Sequence, residues 1–123
     1  MSEYMEKENT VEYKSRAFAI DIINLYKELV EDKKEYTLSK QVLRSGTSIG
    51  ANIVEAEAAI SKKDFLAKMY IAFKECSETE FWLDIMHETH YVEDKSFNYL
   101  MPKCGELKKM LGAITKSAKE SLI

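Results

Sequence analysis

The chain has 123 residues, 46% of them hydrophobic and 32% charged, with a formal net charge of -3, one proline, four glycines and two cysteines. That balance excludes a disordered chain, the length excludes two full-sized domains, and the acidic excess excludes a chain-wide positive field for nucleic acid, leaving only local patches. The N-terminal MSEYMEKENT has no apolar core of the signal-peptide type, and no window is long and apolar enough to cross a bilayer, so a cytoplasmic protein without membrane contact is expected.

Apolar positions counted against a 3.6-residue period predict helices at about residues 10–31, 38–60, 62–91 and 97–119. The first places Val11, Phe18, Ile22, Leu25 and Leu29 on one seam, with Ala19, Ile23, Tyr26 and Val30 beside it. The charged stretch EDKKEYT then breaks the pattern. In the second, Leu38, Val42, Ile49, Ile53, Ala56 and Ile60 fall within about 60° at roughly 100° per residue. The poor helix formers of RSGTSIGAN therefore belong to an amphipathic helix rather than a loop.

Ser61 followed by Asp64 is close to a capping box and starts the third helix. Its Phe65, Met69, Ala72, Cys76, Thr79, Leu83, Met86 and His90 alternate by four and three, the heptad spacing of antiparallel packing. Asp94 and Ser96 offer a turn and a cap for the fourth, whose seam is Phe97, Leu100, Cys104, Leu107, Leu111, Ile114 and Ala118; Pro102 marks a kink or a later start. The expected fold is all-α: one antiparallel up-down-up-down four-helix bundle over residues 1–123. A turn near Glu93 sets Cys76 level with about residue 110, some 9 Å from Cys104 at about 1.5 Å per residue, so both are expected as buried thiols without a disulfide.

On the second helix Gln41, Arg44, Ser48, Asn52 and Glu55 follow one another by three or four and form a polar stripe. Gly46, Gly50, Ala51, Ala56 and Ala59 lower the profile of the rest of the cylinder, so that another backbone can approach. The stripe is either a binding site with Arg44 as a fork for phosphate or carboxylate, or a polar network in which Arg44 pairs with Glu75, Glu78 or Glu80. Phe81 and Trp82 are a partner anchor if the core leaves Trp82 half exposed, and core residues otherwise.

Asp84 and His87 have the acid-x-x-His spacing of metal-binding helices, with Glu80 a turn before, yet the other helices carry no histidine to complete a site. There is no HExxH, no P-loop, and no Ser or Cys that the sequence sets beside a His and an acid. No catalytic, cofactor or metal site is expected. The basic clusters Lys33-Lys34, Lys40 with Arg44, Lys62-Lys63 with Lys68, and Lys108-Lys109 with Lys116 and Lys119 each read as a solvated face.

Three segments together carry a resemblance: Gln41-x-x-Arg44-Ser45-Gly46-Thr47-Ser48-Ile49-Gly50-Ala51-Asn52-x-x-Glu55-Ala56, then Ser61-x-x-Asp64-Phe65, then Ile71-Ala72-Phe73-Lys74-Glu75-x-x-Glu78-Thr79-x-Phe81-Trp82-Leu83. They resemble the bacterial 23S rRNA intervening-sequence proteins, also called the four-helix-bundle protein family. The resemblance implies an antiparallel bundle assembled as a homopentamer around a central axis. Its recurring polar positions map onto Arg44, Ser48, Asn52 and Glu55 and onto Lys74, Glu75 and Glu78. Some relatives are encoded within insertions of 23S rRNA genes, and a more distant one, a basic protein, works with a reverse transcriptase in diversity-generating retroelements. The present chain departs from that relative in being acidic.

The expected function is a non-enzymatic oligomeric bundle that associates with RNA or an RNA-handling partner, through Lys40, Arg44 and Lys74. The alternative is a protein–protein adaptor without nucleic acid.

Overall fold

The computed structural model of the protein describes residues 7–122. Within them lie helices α1 (Val11–Glu31), α2 (Leu38–Glu57), α3 (Lys62–Glu88) and α4 (Asp94–Glu120). The first three start where a side chain holds free N–H groups of the first turn. Thr10 accepts from the Tyr13 N–H at 3.2 Å, and Ser61 from the Asp64 N–H at 3.0 Å. At α2 the Glu35 carboxylate does this work, accepting from the Ser39 N–H at 2.7 Å and the Thr37 N–H at 3.1 Å.

The helices form a closed ring in which α1 packs on α2, α2 on α3, α3 on α4 and α4 back on α1. Ion pairs bridge neighbouring helices: Lys14–Glu106 joins α1 to α4 at 2.7 Å, and Glu55–Lys68 joins α2 to α3 at 3.3 Å. The axis of the bundle is filled by Phe18, Ile22 and Leu29, Ile49 and Ile53, Leu83 and Met86, and Leu107 and Leu111, all fully buried. Burial of each such side chain contributes about 1.5–3 kcal/mol, against about 1 kcal/mol lost to helix propensity at each glycine of α2. Packing therefore keeps the glycine-bearing segment helical.

Both of those glycines lie where α2 meets α1. A Cβ at Gly46 would lie 2.8 Å from two carbons of Ile22, and one at Gly50 would lie 3.4 Å from Ser15 Oγ. Ser15, Ser39, Ser45 and Thr79 are also buried, and no buried side-chain N or O among the described residues lacks a hydrogen-bond partner.

The structure departs from the sequence expectations at the helix ends. α2 stops at Glu57, not near 60, because the Ala58 and Ala59 N–H groups turn back to the Glu55 and Ala56 carbonyls at 3.1 Å each. This tightening swings Ile60, expected on the buried seam, to 97% exposure. α3 stops at Glu88. His90, expected on its seam, is exposed at a φ of 69°, and the Tyr91 and Val92 N–H groups both return to the Met86 carbonyl, which buries Val92 as a plug.

α4 starts at Asp94, three residues earlier than expected, after Glu93, which gives no side-chain cap, and it runs through Pro102. Pro102 and Asn98 are exposed, so the Asn98 carbonyl that loses its intrahelical donor faces solvent. Ile23, placed beside the α1 seam, is 39% exposed.

The earlier start of α4 also corrects the register with α3. Cys104 Sγ lies 3.4 Å from the Cys76 carbonyl oxygen, so Cys104, and not a residue near 110, stands level with Cys76. Both thiols are free and buried. Contact with Cys76 and burial hold the Cys104 thiol far above its ordinary range, in the protonated form. No helix among the described residues is long and apolar enough to cross a membrane.

Gly105 offers a test of where α4 needs a bare backbone. The nearest side-chain atom to a Cβ there is Glu80 Oε2 at 3.8 Å, an ordinary contact. Gly105→Ala is expected to raise stability by about 0.5–1 kcal/mol in urea unfolding, from helix propensity alone. A fall instead would mean that α4 is pressed against α3 at this point.

Candidate functional site

Of the polar stripe of α2, Arg44 and Glu55 reach side chains of α3, whereas Ser48 and Asn52 pair within α2. Arg44 projects from the second turn of α2 onto α3, where its Nη1 donates to Glu75 Oε2 at 3.0 Å and its Nη2 donates to Glu78 Oε2. Glu78 also accepts from Trp82 Nε1 at 2.9 Å, one turn further along α3. The i, i+3 and i+7 spacing of Glu75, Glu78 and Trp82 puts all three on the α2 side of α3, so that one guanidinium bridges two carboxylates while an indole N–H holds the second.

Ser48 and Asn52 lie one and two turns beyond Arg44. Asn52 Nδ2 donates to the Ser48 carbonyl at 2.8 Å and lies 3.1 Å from Ser48 Oγ, so this pair is satisfied within its own helix. Glu55 closes the stripe by accepting from Lys68 Nζ at 3.3 Å. Beneath it, the Thr79 hydroxyl donates to the Glu75 carbonyl at 2.8 Å and sits 2.9 Å from Ser45 Oγ, a buried polar contact between α3 and α2. Gln41 and Lys40 stand exposed in the first turns of α2. Lys74 lies on the outward side of α3 over the Tyr70 ring, away from Arg44.

The charges of Arg44 are met on this surface by two carboxylates. The hydrogen bond with Glu78 is the largest influence and holds the guanidinium above its ordinary range. The Trp82 N–H, followed by Arg44, holds the Glu78 carboxyl below its ordinary value of 4.5, against the opposing effect of burial. The arrangement suits locking two helices at a fixed register more than gripping a free phosphate, which would have to displace both acids. The Arg44 side chain is 53% exposed, so solvent screens the pairs.

The core takes Trp82 in as a half-buried neighbour, with its N–H satisfied, whereas Phe81 remains 52% exposed, edge-on to the indole at 5.1 Å between centroids. His87 Nε2 lies 2.7 Å from Asp94 Oδ1 and its ring stacks on Phe97 at 4.0 Å, joining the end of α3 to the start of α4. No group of three or more His, Cys, Asp or Glu side chains among the described residues is placed to hold a metal ion.

Sequence reasoning missed Lys68 as the partner of Glu55 and the pairing of Ser45 with Thr79. The second left a signal, since Thr79 is the one hydroxyl in an otherwise apolar heptad seam before His90. It also missed the pairing of Lys108 with Glu80 at 3.1 Å and the ring stack of Tyr70 on Phe73.

The Glu78 arrangement sets a pH dependence. A carboxyl whose pKa is lower folded than unfolded adds stability that is complete above its unfolded value and is lost as pH falls through its folded value. Glu78→Gln is therefore expected to destabilise the protein at neutral pH. The gap to wild type should narrow as pH drops below 4.5 in denaturant titrations followed by Trp82 fluorescence. A gap independent of pH would show that the charge of Glu78 contributes nothing.

A solved structure from Bacteroides thetaiotaomicron VPI-5482, described as a protein with unknown function from the S23 ribosomal protein family, is similar to this chain. The two share 48% identity with a TM-score of 0.85, over 87% of this chain and 99% of that one. No curated protein matches the chain in sequence. The model of the 23S rRNA-intervening sequence proteins matches residues 7–113. With that span and the bundle described above, the chain belongs to the 23S rRNA-intervening sequence protein family.

Proposed function

We propose that the protein is a non-enzymatic, cytoplasmic homo-oligomer, a pentamer, that associates with RNA or with an RNA-handling partner. The observation that carries the oligomer is the outer surface of α2. From Ser45 to Val54 the helix has no charged side chain, in a chain that is 32% charged, yet Ala51 and Val54 are exposed, Val54 to 67%. Tyr13 and Ala19 of α1 line the same groove beside Thr47, Gly50, Ala51 and Val54. A low, uncharged face of α2, rimmed by Lys7, Glu12 and Arg16, is what a second helix needs for close packing, and repetition of one such contact around an axis closes a ring.

RNA association is supported by membership of a family named for 23S rRNA intervening sequences. The acidic net charge sets a condition on it: binding must use a local cluster of lysines, which a ring repeats in several copies so that weak contacts add by avidity. The exposed Phe81 favours a second reading, an adaptor whose partner is another protein docked on that ring.

Light scattering after gel filtration, with and without a structured ribosomal RNA fragment at low and high salt, separates these readings. The expected result is a pentamer that takes up RNA at low salt and releases it at high salt. Val54→Glu is expected to yield monomers with unchanged helical circular dichroism. A monomeric wild-type protein would refute the assembly, and an oligomer that ignores RNA at both salts would favour the adaptor.

A further inference from the structure

Along the groove between α3 and α4, cations and aromatic rings alternate. Lys74 Nζ lies 5.4 Å from the Tyr70 ring centroid. Tyr70 stacks on Phe73 with centroids 6.0 Å apart and planes at 14°, and Lys108 Nζ lies 6.0 Å from the Phe73 centroid. The rings are seated by α4, since a Cβ at Gly112 would come within 3.4 Å of the Phe73 ring. Phe73 is half-buried as a result, and it supports Tyr70, which is 49% exposed.

The cations around this stack differ in what they have to spare. Lys108 is engaged by Glu80 at 3.1 Å. Lys109 and Lys116, three residues before and four after Gly112, share its helix face and are exposed. Neither they nor Lys74 has an ion-pair partner among the described residues. An acidic protein thus leaves three lysines without ion-pair partners on the two helices that flank one supported, half-exposed aromatic ring.

The geometry points to a site for single-stranded RNA on this groove, with an unpaired base stacked on Tyr70 and the flanking phosphates beside Lys74, Lys109 and Lys116. The site presupposes the RNA association proposed above and gives it a face and a strandedness. A π face accepts any base, so recognition here is tolerant of sequence, and an intact duplex, whose bases are stacked on each other, cannot use it. Arg44, neutralised by Glu75 and Glu78, takes no part.

Fluorescence anisotropy of a labelled oligouridylate of about 20 nucleotides, longer than one site of this kind needs, tests the proposal. Tyr70→Ala is expected to weaken binding about tenfold, the effect of losing one stacked base, whereas Tyr70→Phe, which keeps the ring, binds as wild type. Lys109→Glu with Lys116→Glu should weaken binding further and lower the slope of log affinity against log salt by about 1.4. Tyr36→Ala, at a ring 54% exposed before α2, serves as the control without effect. Circular dichroism verifies that each variant folds.

If wild type binds the oligonucleotide and Tyr70→Ala binds it equally well, this site is overturned while RNA association stands. Equal affinity for a duplex of the same length overturns it too. Failure of wild type to bind either RNA at low salt removes RNA association itself, and this site with it.

Discussion

Where α2 crosses α1, one more methyl group at Gly46 would press to 2.8 Å on two carbons of Ile22. The absence of that methyl lets the backbone of α2 settle into the layer of Ile22 and Ser15, and the rest of the helix is positioned from there. Ile49 and Ile53 point to the bundle axis, Ser45 meets Thr79, and Arg44 is carried to the α3 edge where Glu75 and Glu78 stand. An α2 held further out by larger side chains would lose the Ser45–Thr79 contact first, because a hydroxyl pair at 2.9 Å tolerates little separation.

The same small residues bear on the two faces of α2 differently. Inward, Gly46 and Gly50 are consumed by α1. Outward, Ala51 and Val54 leave a surface without charge, and charge resumes only at Arg44 and Glu55, each of which already has its partner on α3. Arg44 and Glu55 therefore tie α2 to α3 at one register. On the outward side of α3 and on α4, Lys74, Lys109 and Lys116 stand without an ion-pair partner among the described residues.

Much of this could be read in the sequence, because helix burial follows a period that side-chain polarity records. Val42, Ile49, Ile53 and Ala56 are buried as their spacing requires, as are Met69, Ala72, Cys76, Thr79, Leu83 and Met86. The seam of α3 was legible even through its threonine. Pairing of Arg44 with Glu75 and Glu78 was one of two open readings, and only the cross-helix register could choose between them. What the period does not contain is how a helix ends: the return of the Ala58 N–H to Glu55 that expels Ile60, or the left-handed His90 that lets Val92 plug the bundle. An error of three residues at the start of α4 was enough to part Cys76 from Cys104 on paper. The Tyr70–Phe73 stack was beyond sequence reading for the same reason, as it depends on Gly112 lying opposite Phe73.

The closeness of α2 to α1 is best measured by a double-mutant cycle between Gly46→Ala and Ile22→Ala in urea unfolding. In the wild-type background the alanine gains helix propensity but meets Ile22, and a net loss of about 1–3 kcal/mol is expected from overpacking. In the Ile22→Ala background the space is free, so the same substitution should be neutral or stabilising, giving a coupling of about 1–3 kcal/mol. An equal effect of Gly46→Ala in both backgrounds would contradict the view that this contact positions α2.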